Sequence, residues 1–60
     1  MYNKGDLLQV SSDDRFNGAT GRVESLHPDY DPKEMVYLIK YEEPLKGYGM
    51  FPESHLVAVI

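Results

Sequence analysis

The stretch "RFNGATGRVESL", residues 15–26, sets two glycines three apart, after an aromatic residue and before an alternating run. Gly18 follows Asn17, and Asn-Gly is the dipeptide best suited to the positive φ of a tight turn. Gly21 opens a period-two segment, where a missing side chain lets a second backbone approach closely. In that segment, "TGRVESL" (20–26), Val23 and Ser25 fall on one face and Arg22, Glu24 and Leu26 on the other. A bulge between Val23 and Leu26 would turn both apolar residues inward. A phosphate-cradling loop does not fit, because "GATG" lacks the lysine and the following helix of a P-loop.

Working outward, the same period recurs. "DLLQVS" (6–11) places Leu8 and Val10 on one side, with Asp6 as a start signal. "MVYLIKY" (35–41), rich in β-branched and aromatic residues, is the strongest predicted strand. Lys40 shares a row with Val36 and Leu38, so the other row, Tyr37, Ile39 and Tyr41, is assigned to the core. "YGMF" (48–51) and "LVAVI" (56–60) supply a fourth and a fifth strand. Between them lie turn-rich segments, and "PESH" (52–55) is long enough only for a 3₁₀ turn. The expectation is one all-β domain over residues 1–60: a five-stranded barrel with a short 3₁₀ turn before the last strand. Closure is favoured in so short a chain because it leaves fewer raw strand edges.

Composition narrows the function. Sixty residues without cysteine leave neither a disulfide nor a thiolate metal site to supplement the core. No apolar run approaches the ~20 residues that span a bilayer, and no basic-then-apolar leader opens the chain. A cytoplasmic protein without membrane contact is therefore expected. Ten acidic residues against six basic ones give a formal net charge of −4. Nucleic-acid binders usually carry a basic stripe, whereas Lys4, Arg15, Arg22, Lys33, Lys40 and Lys46 are scattered among acids.

On "KGDLLQV" followed by "FNGATGRVESL", the chain resembles the KOW-type element of SH3-like small barrels. Gly5, Asp6, Leu8, Val10, Gly18, Gly21, Val23 and Leu26 fit that pattern. The remainder is similar to the second half of several SH3-like barrels, where a hairpin leads to a 3₁₀ turn and a leucine plugs the barrel. The resemblance makes Leu56 that plug. It speaks to fold rather than to function. KOW loops tend to be basic, whereas this one carries "SSDD"; the chain also lacks tryptophan and the "ALYDY" opening of peptide-binding SH3 domains.

Chemistry-bearing constellations are few. His27 and His55 have no nucleophile or ligand set placed beside them by sequence. "DYDPKE" (29–34) lacks the glycine and glutamate spacing of an EF-hand. Asp13–Asp14 and Glu42–Glu43 are adjacent pairs, which in a strand point to opposite faces. The expectation is no enzyme, no cofactor and no metal. Phe16, Tyr30 and Tyr48 lie in loops or between glycines, with two uses open to them. They cap the ends of a small core, or they line one barrel mouth, formed by loops 12–19 and 44–50, as a protein-binding patch. The expected function is a non-catalytic binding module, a small adaptor or accessory subunit with a protein partner. The alternative is a KOW-like nucleic-acid binder of transcription or translation, using Arg15, Arg22, Lys40 and Lys46. A third reading, acidic mimicry of DNA, fits the net charge alone.

Overall fold

A computed structural model describes residues 1–12 and 15–59. The Asp13–Asp14 pair and Ile60, the end of the expected fifth strand, lie outside the described residues. Five strands are present: β1 (Leu7–Val10), β2 (Thr20–His27), β3 (Val36–Tyr41), β4 (Tyr48–Pro52) and β5 (Leu56–Ala58). A 3₁₀ turn, Glu53–His55, precedes β5. All pairings are antiparallel, in the order β4-β3-β2-β1-β5. The fold is thus all-β with five strands and the 3₁₀ turn before the last, as the periodicity predicts. Among the described residues no strand pairing joins its two edges, β4 and β5, so the ladder is open and the expected closure of the barrel is not made by hydrogen bonds.

The core lies on one face of the curled sheet. Leu8, Val10, Val23, Tyr37, Ile39, Tyr41, Phe51 and Leu56 form a buried cluster, and Tyr37 and Ile39 are fully shielded from solvent. Tyr2, Phe16, Ala19, Leu26 and Met35 pack against it. Val36 is buried as well, although it lies on the row opposite to Tyr37. The β2–β3 register shifts between Val23 and Ser25, leaving Glu24 as the extra residue of a bulge. Beyond that bulge Leu26 is paired with Tyr37, which returns it to the core-facing row.

The two glycines of the opening stretch have different duties. Gly18 has φ +91° and nothing within 4 Å of where a Cβ would stand, so its role is conformational. Gly21 is paired with Leu8 on one side and Tyr41 on the other. A Cβ there would stand 2.5 Å from Ile39 Cγ2 and 2.6 Å from the Lys40 carbonyl oxygen. The absent side chain at Gly21 is what lets β2 and β3 reach their spacing. Leu56, immediately after the 3₁₀ turn, is buried in the cluster, where a plug is expected.

Candidate functional site

Antiparallel pairing sets the outer face of the sheet in cross-strand rows. Leu7, Arg22, Lys40 and Tyr48 form one row, and Ser25, Leu38 and Met50 the next. His27, Val36 and Pro52 form a third. Tyr48 and Met50 are exposed, at 55% and 39%, and Leu38 beside Met50 is half-buried. The intervening Gly49 faces the core side, where a Cβ would collide with the Tyr41 hydroxyl and with Phe51 Cε2. Tyr48 is therefore held outward by the close fit of Gly49 over the Tyr41 ring.

The row carries two cations side by side. Like charges directly opposite across strands are unfavourable unless something offsets them. Arg22 Nε lies 3.4 Å from Glu42 Oε1, and its Nη1 donates to the Gly5 carbonyl at 3.0 Å. Lys40 has no ion-pair partner among the described residues. Two of the four basic residues proposed for nucleic acid are thus neighbours. Arg15 instead lies over the Phe16 ring, 4.9 Å from its centroid, and Lys46 sits in the β3–β4 connection.

The three aromatic residues considered for a common mouth stand in three places. Phe16 is stacked on Tyr41 with ring centroids 5.4 Å apart and packs against the core. Tyr48 is on the opposite face of the sheet. Tyr30, in the β2–β3 connection, lies at the other end of the strands, with its ring 5.0 Å from His27. The parity of hairpin connections explains this: β1–β2 and β3–β4 turn at one end, β2–β3 at the other.

Near the 3₁₀ turn, an open groove of about 580 Å³ is lined in part by Tyr2, Met35, Glu34, Glu53 and Ser54. Its carboxylates are already engaged. Glu34 accepts from the Ser54 backbone N–H at 2.8 Å and from Ser54 Oγ at 3.1 Å. Glu53 Oε1 accepts from the Tyr37 hydroxyl at 2.7 Å. Burial raises the Tyr37 phenol above its ordinary value, and Glu53 adds to this; the Tyr2 N–H, which donates to the phenolic oxygen, works against it. Ser25 Oγ and His27 Nε2 are 2.8 Å apart, and a nucleophilic triad would need a third group to orient the imidazole. Among the described residues no cluster of three or more His, Asp or Glu could hold a metal ion. No helix among them is long and apolar enough to cross a membrane.

Neither a family model, nor a curated protein, nor a solved structure matches this chain.

Edge geometry follows from the ladder. Paired residues in an antiparallel ladder alternate between those that exchange both backbone hydrogen bonds and those that exchange none. Tyr41 N–H donates to Gly47 O at 3.0 Å, and Glu53 N–H to Met35 O at 2.9 Å. In the continuous β3–β4 register, Gly49 and Phe51 are then the inward-bonded residues of β4. Tyr48, Met50 and Pro52 direct their backbone groups away from the sheet, and Pro52 has only a carbonyl to offer. On β5, the Ser11–His55 and Leu7–Val59 bonds leave Leu56 and Ala58 turned outward. Leu56 N–H, however, donates to Glu53 O, and its carbonyl accepts from the Tyr2 hydroxyl at 3.4 Å.

Proposed function

We propose that this chain is a non-catalytic binding module for a protein partner, built on an SH3-like barrel. The SH3-like reading is supported by the strand order, in which β5 returns beside β1, and by the 3₁₀ turn and buried leucine before that last strand. The binding reading is carried by one observation: on the edge strand β4, Tyr48 and Met50 are exposed and adjacent on the outer face, and they border Lys40 of β3, which has no ion-pair partner among the described residues. Aromatic residues and methionine are enriched where proteins meet, because they offer large contact area at small entropic cost. The recognition surface in this reading is the outer face rather than a barrel mouth.

A second reading is favoured by a specific feature, the Arg22–Lys40 pair with Tyr48 beside it. A cation pair next to an aromatic ring is a minimal platform for a nucleic-acid strand. The two readings separate in one experiment. The protein and its Tyr48→Ala variant serve as baits in a lysate of the source cells, with and without nuclease. The proposal expects a protein recovered regardless of nuclease and lost with Tyr48→Ala at unchanged fold. Recovery abolished by nuclease, with salt-sensitive micromolar binding to oligonucleotides, would overturn it in favour of nucleic acid.

A further inference from the structure

Resting on the protein-binding reading, we infer that the β4 edge is an addition site for an extended acidic segment of the partner, which joins the sheet as a sixth strand beside Tyr48 and Met50. Three observations converge there. The backbone N–H and C=O of Tyr48 and Met50 point outward from an edge strand that has no strand beside it on that side among the described residues, and such groups are a template for another strand. The side chains of the same two residues are exposed and apolar, so an added strand would lie beside them on the outer face. The charges in register with them are cationic: Lys40 is the cross-strand partner of Tyr48, Arg22 lies beyond it, and Lys46 leads into β4.

The chemistry of the occupant follows from these groups. Backbone pairing demands a polypeptide, since a nucleic-acid strand cannot supply alternating amide donors and carbonyl acceptors. Strand side chains alternate between faces. Those on the outer face would stand beside Tyr48 and Met50, where Lys40 faces no carboxylate of its own chain within ion-pair distance among the described residues. Acidic side chains on that face complement Lys40, and basic ones are repelled. Pro52 ends the window, because an incoming carbonyl opposite it finds no N–H. The β5 edge is not equivalent: Glu53 O and the Tyr2 hydroxyl already occupy the outward groups of Leu56.

The test uses a blocked octapeptide alternating valine and glutamate, a matching valine–lysine peptide and a mixed-sequence single-stranded oligonucleotide, each titrated into the isotope-labelled full chain. The expected result is saturable binding of the glutamate peptide at about 1 mM or tighter, with amide exchange at Tyr48 and Met50 slowed about tenfold. Lys40→Glu should weaken binding about tenfold and reverse the preference toward the lysine peptide. Met50→Pro removes an outward N–H without touching the β3 ladder and should abolish binding. If that variant fails to fold, the exchange measurement on the natural chain carries the test. No binding of the glutamate peptide, equal binding of both peptides, unchanged exchange at Tyr48 and Met50, or displacement by the oligonucleotide would overturn the inference. So would protection of these amides that rises with protein concentration alone, the mark of a second copy on the edge. A protein captured through Tyr48 while its backbone amides stay unprotected would sink the added strand and leave the binding module standing.

Discussion

Replacing Gly21 by alanine adds one methyl group at a position confined by a neighbouring backbone as well as by a side chain. The new Cβ would stand 2.5 Å from Ile39 Cγ2 and 2.6 Å from the Lys40 carbonyl oxygen. Ordinary contact between such atoms is about 3.5 Å or more, so the neighbours must yield by about 1 Å. Ile39 is fully buried and has little room to turn away. The Lys40 carbonyl is backbone, and moving it displaces the β2–β3 ladder next to the Gly21–Tyr41 and Arg22–Lys40 pairs. Overpacking of this kind costs about 1–3 kcal/mol. Loss of glycine freedom in the unfolded chain offsets about 0.4–1 kcal/mol of that. A domain of this length has roughly 3–9 kcal/mol in total, so a large share is at stake. The central values leave a net loss of about 1.3 kcal/mol, and with a urea m-value of about 1 kcal/mol/M the midpoint should fall by about 1.3 M. Far-UV circular dichroism and tyrosine fluorescence report the transition, as the chain has no tryptophan. Gly18 is the control, with φ +91° and open space around it. Gly18→Asn should lose little because asparagine tolerates positive φ, whereas Gly21→Asn should lose at least as much as Gly21→Ala. A midpoint for Gly21→Ala within error of the parent, at unchanged m, would refute the close-approach account.

Further expectations concern the core and its polar tie. Leu56→Ala empties the site after the 3₁₀ turn and should cost about 2–5 kcal/mol; a cooperative variant of parental stability would show that Leu56 does not plug the core. Tyr37→Phe removes the hydrogen bonds to Glu53 and from Tyr2, an expected loss of about 1–2 kcal/mol near neutral pH. Its pH dependence has a definite sign. The folded phenol titrates above its unfolded value of 10.0, so its contribution is whole below that pH and is lost as pH rises through the folded value. The stability gap between parent and Tyr37→Phe should narrow in alkali, and a gap that widens would contradict the assigned shift.

Alternation made the core legible. Leu8, Val10, Tyr37, Ile39, Tyr41 and Phe51 all lie on rows readable from period two, and the apolar spacing of Val23 and Leu26 marks the bulge. The strand at Tyr48 is legible in "YGMF" (48–51), whereas the use of its ring is not. The two glycines of "KGYGM" also suggest a barrel-mouth loop, and it is the pairing with Lys40 that fixes the outward face of Tyr48. The separation of Tyr30 from Phe16 follows from hairpin parity, a signal present in the strand count but independent of any single residue. The Arg22–Lys40 contact needs the register itself, which depends on where Glu24 is extruded. Val36 is buried between His27 and Pro52, and no local pattern separates it from the half-buried Leu38 on its own row.

The unequal edges bear on polymerisation. A sheet with two open edges is a bifunctional monomer: each copy can accept one neighbour and offer itself to another, and the product is a filament. Here Tyr2 and the 3₁₀ turn occupy the outward groups of Leu56 on β5, while β4 offers a window that stops at Pro52. Among the described residues only Ala58 is then left with its outward backbone groups unoccupied on β5, so the two edges differ in valence: β4 presents two consecutive outward residues as a template and β5 a single one. Tyr2→Phe would keep the ring and release the Leu56 carbonyl, and its effect would be measured as a change in valence rather than in affinity.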